Sequence, residues 1–257
     1  MRGPNLLPLL GLGLGALCLL GALELEGQTV RAFFSLPALL VVLGGSLGAS
    51  LISLRWKDRQ DILAIIRGLF ANERRERLQL AGHLVDWARE GRRQGVLALQ
   101  PSLVKVDMPI VARALQALAD GEPADRIELL FELEKVRRQR YFRRGEQFLE
   151  SLGGYSPTFG IIGTVMVLVS VLGDMQRPEA LAQGVASAFI ATFYGIVFAN
   201  LVFLPLARRV ERECAEEVET LEMLATGFKA IAIGEHPTVL KDRLQLYLDW
   251  EEEEEAA

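Results

Sequence analysis

The sequence predicts an all-α integral membrane protein with four transmembrane helices, a helical cytosolic domain between the second and third, and a helical cytosolic tail. Three observations carry this expectation. The 257-residue chain is 51% hydrophobic with a mean hydropathy of +0.25, yet 24% of it is charged, so the apolar residues must be segregated. They are gathered in four charge-free runs, Gly3–Leu23, Ala32–Leu54, Ser151–Gly173 and Ala180–Ala207, each long enough at about 1.5 Å per residue to cross a hydrocarbon layer of roughly 30 Å. Outside those runs the apolar residues recur at helical spacing and show no strand-like alternation.

Taken in order, residues 1–54 read as a first transmembrane hairpin. The opening LLPLLGLGLGALCLLGAL also resembles a secretory leader, but GALELEG places acids where a cleavage site needs small residues. Residues 55–150 read as a cytosolic helical domain, with Ile62, Ile65, Ile66 and Leu69 on one helix face and Val111, Ala114, Leu115 and Leu118 on another. GEPAD at 121–125 is a turn, followed by a helix over Arg126–Arg140 or beyond. Residues 151–207 form the second hairpin. The tail, 208–257, continues the fourth run with an apolar stripe Val218, Leu221, Leu224, Ala225, Phe228 and Ile231, breaks at Gly234–Pro237, and carries Leu240, Leu244 and Leu248 on a last short helix before EEEEE.

Charge sets the orientation. Arg55, Lys57 and Arg59 follow the second run, RRQRYFRR (Arg137–Arg144) precedes the third, and Arg208, Arg209 and Arg212 follow the fourth. The two short connectors each hold one arginine among acids. Basic residues accumulate on the cytoplasmic side, so both termini are expected inside.

The third and fourth runs contain no Asp, Glu, Lys, Arg or His. Pro157, Gly160, Ile161, Thr164, Leu168 and Val171 fall on one expected face of the third. Gly184, Ala188, Ala191, Gly195 and Ala199 form a small-residue stripe on the fourth, with Thr192 beside it. Small residues admit close helix packing in lipid, and threonines bond across helices. Pro157 and Pro205, near the cytoplasmic ends, either mark helix ends or bend a packed segment. Ion transfer through lipid normally uses an ionisable group; this chain offers hydroxyls alone, so a second subunit would have to bring the acid.

The stretches YSPTFGIIGTVMVLVSVLGDM and GVASAFIATFYGIVFANLVFLPLARRV, with LPALLVVLGGSLGASLIS, WAREGRRQGVLALQ and GEHPTVLKDRLQLYL, resemble the MotA/PomA flagellar stator family within the wider MotA/TolQ/ExbB proton-channel group. Two runs before the cytosolic segment separate the chain from TolQ and ExbB proteins, which have one. The resemblance implies a bacterial inner-membrane protein. Five copies would ring a MotB-like, peptidoglycan-binding dimer that supplies the ion-binding aspartate, coupling inward proton or sodium flow to torque on a FliG-like rotor. It further implies Thr164 and Thr192 in the ion pathway, Pro157 and Pro205 in conformational coupling, and Arg92, Arg93 and Gln100 at the rotor contact. Gly95 and Arg92 match the family's cytosolic pattern, but Gln100 stands where a glutamate is expected. Val167 replaces a usual glycine, and Ala191 a common threonine. Gln100 keeps open a non-flagellar TolQ/ExbB-like energiser for envelope or gliding work.

Other function classes find no footing. His83 and His236 lack metal-ligand companions, and no nucleophile or phosphate-loop motif is present. No enzyme activity, cofactor, metal or nucleic-acid partner is expected.

Overall fold

Backbone amides in an apolar run can be satisfied only within the run, which favours helix. The computed structural model describes residues 7–27, 29–69, 76–99, 108–173 and 178–256, and among them every regular element is helical. The elements are α1 (Leu7–Leu25), α2 (Leu36–Ile52, with a π-helical turn at Leu40–Gly44), α3 (Arg59–Gly68), α4 (Glu76–Gln94), α5 (Pro109–Ala119), α6 (Ala124–Leu172), α7 (Pro178–Val197), a π-helical segment Phe198–Phe203, α8 (Leu204–Ala232) and α9 (Pro237–Ala256).

Among the described residues, three helices are long and apolar enough to cross a membrane: α1, α6 and the continuous Leu181–Ala232. Leu36–Ile52 is a shorter fourth candidate, and the chain bends by 117° between it and Trp56–Gly68. α6 is one unbroken helix of 49 residues, about 74 Å long at 1.5 Å per residue. The 150/151 boundary drawn from composition is therefore a change of polarity within a helix, with no break in the backbone.

The contacts divide the chain into two units. The first comprises residues 1–72 and 142–212, the second 73–141 and 213–257. Residues 55–69 thus cluster with the apolar helices.

In the first unit, α1 packs on the Phe198–Phe203 segment and α2 on α7. Ser35 caps α2, its side chain accepting from the Ala38 amide at 3.4 Å, and Pro37 follows in the first turn. Tyr194 of α7 fastens the entry to α2: its hydroxyl accepts from the Ser35 amide at 3.1 Å and donates to the Phe33 carbonyl. α3 buries Ile62, Ile65 and Leu69 while Ile66 is half-buried, close to the expected face. Both of its ends are tied. Arg144 of α6 pairs with Asp61 and lies 3.3 Å from Asp58, while Arg209 of α8 donates to the Leu69 carbonyl at 3.0 Å. Acids at the N-terminus and a cation on the last carbonyls also suit the helix dipole.

The second unit is built from α4, α5, the start of α6, most of α8, and α9. Its core holds Leu84, Trp87, Val111, Leu115, Ile127, Phe131, Leu221, Leu224, Phe228, Leu240 and Leu244. Phe228 is the hub, its ring 5.4 Å from Phe131 and 5.9 Å from Trp87. The stripe expected on the tail is the buried face of α8, with Val218 half-buried at its start. Gly121 and Gly234 end α5 and α8 at φ +72° and +71°. The amides that follow, of Glu122 and Glu235, reach back to Ala117 O and Ala230 O at 3.0 and 2.9 Å, the helix stop that only a residue tolerant of positive φ provides. The last helix is longer than the sequence suggested and carries the glutamates 251–255 as helical residues.

Candidate functional site

The expected site residues of the third and fourth runs meet where α6 crosses α7. The crossing is a contact of backbone on backbone. A Cβ on Gly160 would stand 2.9 Å from Ala191 O and 3.1 Å from Thr192 Cα; one on Gly195 would stand 2.6 Å from Ser156 O and 3.0 Å from Pro157 Cα. Gly163 completes the α6 side, 3.0 Å by the same measure from Ala191 Cβ, and Ala188 and Ala191 are each 1% exposed. The expected face needs one correction. Ile161 is 56% exposed and points away, and Gly163 takes its place, because at 3.6 residues per turn a residue next to Gly160 is rotated by about 100° from the crossing.

The tight approach brings the two threonines together. Thr164 Oγ1 and Thr192 Oγ1 are 2.6 Å apart, and Thr164 Oγ1 also lies 2.9 Å from Ala188 O and 3.1 Å from Gly160 O. Each hydroxyl has one proton and two lone pairs. An arrangement in which Thr192 donates to Thr164 and Thr164 donates to Ala188 O satisfies both protons and leaves lone pairs on both oxygens. Both side chains are half-buried. The pair is a neutral oxygen site: it can ligate a cation or pass a proton along hydrogen bonds, but it holds no charge of its own.

Pro157 lies inside α6 at the crossing. It has no N–H for the Gly153 carbonyl, so that helix bond is absent. The neighbouring hydroxyls are turned back onto the same region, Ser156 Oγ to Leu152 O at 2.7 Å and Thr158 Oγ1 to Gly154 O at 3.2 Å. Pro205 is the second residue of α8, directly after the π-helical segment, where the Leu204 amide bonds to Ala199 O five residues back. The wider turn has already shifted the register into which a proline cannot donate.

Arg92 and Arg93 occupy the exposed last turn of α4, beside Gly95 at φ +83°. Gln100 lies outside the described residues. The threonine-proline pair of helices belongs to the first unit and the arginines to the second, so these expected residues form two separate groups.

Sequence reasoning missed three features of the first unit: the Tyr194 fastening, the Arg144–Asp61 tie and the Arg209–Leu69 tie. Each joins residues far apart in the chain, and only the opposite charges of Arg144 and Asp61 hinted at one of them. It also missed Glu146 on α6. Burial pushes this carboxyl above the usual range, Glu150 and Glu211 add to the shift, and Arg143 and Arg208 oppose it. The folded chain thus binds this proton more tightly than the unfolded one. Its contribution to stability is full below the ordinary carboxylate pKa and is lost as pH rises through the raised one. Glu146→Gln is expected to raise the thermal midpoint at neutral pH and to leave it unchanged near about pH 4, where the native carboxyl is protonated. Equal effects at both pH values would remove this reading.

Residues 103–223 match the MotA/TolQ/ExbB proton channel family. Motility protein A of Bacillus subtilis is 27% identical over 241 residues, covering 93% of this chain and 89% of that protein. Chemotaxis protein PomA of Vibrio alginolyticus is 26% identical over 245 residues, covering 95% and 96%. The flagellar MotAB stator complex from Bacillus subtilis superposes with a TM-score of 0.88 at 26% identity, over 97% of this chain and 98% of that one.

Proposed function

We propose that this member of the MotA/TolQ/ExbB proton channel family is the ring-forming subunit of a flagellar stator, which couples ion entry to torque. The observation that carries the reading is the acid-free threonine pair at the α6/α7 crossing, set in a chain similar over nearly its whole length to a flagellar stator component. Leu36–Ile52 serves as the fourth span, both termini lie in the cytoplasm of a bacterium's inner membrane, and the second unit with the acidic tail lies there too. Five copies surround a MotB-like dimer whose aspartate carries the ion past Thr164 and Thr192. Each charge that crosses releases about 2.3 kcal/mol per 100 mV. Pro157 sits where α6 has lost a backbone bond and Pro205 where the helix has widened. These two points let the helices bend as the ion passes, and Arg92, Arg93 and Gln100 meet the rotor.

Thr164→Val keeps the shape and removes the hydroxyl, leaving Thr192 without its partner. Losing one oxygen that meets a charged group costs about 1.5–3 kcal/mol, roughly ten- to a hundredfold in ion affinity. Rotation speed is expected to fall and the ion level for half-maximal speed to rise, with Thr164→Ser close to wild type. Unchanged ion dependence in both Thr164→Val and Thr192→Val would sink the pathway assignment.

In-frame deletion tests the whole reading. Cells should carry normal filaments that do not turn, and the wild type's swimming across a sodium titration identifies the ion. The glutamine at position 100 favours a second reading, an energiser for envelope or gliding work. Deleted cells that swim normally and have no second stator would select it.

A further inference from the structure

We infer that the first unit holds a zwitterionic aminophospholipid headgroup, of the phosphatidylethanolamine class, in a cleft between the end of α2 and α6. The inference rests on the membrane reading of the chain, not on its motor activity. The cleft has a volume of about 510 Å³ and is lined by Ser50, Ser53, Arg55, Asp58, Glu150 and Ser151, among others. That volume falls within the usual range of small-molecule sites.

Two buried oxygens are left without a hydrogen bond there. Ser50 is 1% exposed and its Oγ has no partner; Asp58 is 9% exposed and its Oδ1, though 3.3 Å from Arg144, accepts no hydrogen bond. Native proteins rarely leave such atoms unmet. Arg55, also in the lining, is exposed and makes no ion pair among the described residues.

The lining charges are Arg55 and Arg144 against Asp58 and Glu150. They cancel, which disfavours an anionic headgroup and suits one that carries both signs. A primary ammonium brings three N–H donors to Ser50 Oγ and Asp58 Oδ1, and the phosphate meets Arg55. A choline headgroup has no N–H and would leave Ser50 Oγ unmet and Asp58 Oδ1 with its Arg144 ion pair alone. The setting is that of a lipid. The cleft lies at the end of an uncharged run, and the neighbouring Leu51, Ile52 and Trp56 are 55%, 88% and 80% exposed. Exposed aliphatic side chains there meet acyl chains, and tryptophan is enriched at the membrane surface.

The test uses the full chain purified in detergent and offered equal amounts of phosphatidylethanolamine, phosphatidylcholine and phosphatidylglycerol with identical acyl chains. Retained lipid is counted by native mass spectrometry. Ethanolamine lipid is expected to exceed choline lipid about tenfold, the scale of one charge-assisted hydrogen bond. Arg55→Gln should lower its retention by a similar factor, Arg55→Lys should restore it, and Ser50→Ala should narrow the preference over choline. Arg55 is exposed, so its variants should fold, and circular dichroism verifies this. Equal retention of ethanolamine and choline lipids, a preference for glycerol lipid, retention indifferent to Arg55, or no retained lipid would each overturn the proposal. Selective retention together with normal swimming of deleted cells would preserve the site and remove the stator reading instead.

Discussion

Valine in place of Gly195 is expected to abolish ion-driven rotation and to lower the thermal midpoint of the purified chain, because no side chain fits where α7 crosses α6. The nearest atoms to an added Cβ are Ser156 O, Pro157 Cα and the Ser156 carbonyl carbon, at 2.6, 3.0 and 3.2 Å, all of them backbone. Overpacking against side chains costs about 1–3 kcal/mol, since rotamers can yield. A backbone in mid-helix yields much less, so the upper end of that range or more applies. The displacement would also part Thr164 from Thr192, whose 2.6 Å separation depends on this approach. Gly195→Ala should show the same defect more weakly. Gly82→Ala serves as the control, since a Cβ there meets nothing within 4 Å; it should add about 0.5–1 kcal/mol through helix propensity. Wild-type rotation in Gly195→Val would mean that the crossing opens freely and that its closeness has no role.

Arg144→Asp is expected to be the most damaging charge change in the first unit. It replaces the guanidinium that Asp58 and Asp61 share with a third carboxylate, close in sequence to Glu146 and Glu150. The side chains are part-exposed, 40% for Arg144 and 35% for Asp61 against 12% for Asp58, so screening keeps the cost to about 1–3 kcal/mol, less than for a fully buried pair. α3 would lose its tie to α6 while keeping the Arg209 contact at its other end. Adding Asp61→Arg to Arg144→Asp reverses the pair and should recover part of the midpoint and of the swimming speed. Recovery stays partial because Asp58 then faces an aspartate. If the reversed pair unfolds as easily as the single variant, charge pairing is not what holds α3.

How much of this could be read from the residues depended on the range of the interaction. The 3.6-residue periods placed Ile62, Ile65 and Leu69, Val111 and Leu115, and Leu221, Leu224 and Phe228 on the faces they bury. Positive-φ glycines marked the ends of α5 and α8. The acid-free runs and the threonines of the candidate site were visible as composition. The orientation of Ile161 was misread because a face drawn as i, i+3 and i+4 steps admits a neighbour that a particular crossing excludes. The unbroken course of α6 from Ala124 to Leu172 was missed because polarity changes at Ser151 while helix propensity does not.

The sequence by itself determined which segments are helical and which are apolar enough for a membrane, since hydropathy and backbone hydrogen bonding act over a few turns. Only the tertiary structure decided that Thr164 meets Thr192, that Gly160 and Gly195 bring backbones into contact, and that Arg144 and Arg209 hold the two ends of α3. Those contacts join positions up to 140 residues apart, and their geometry depends on how whole helices cross, which no local pattern encodes.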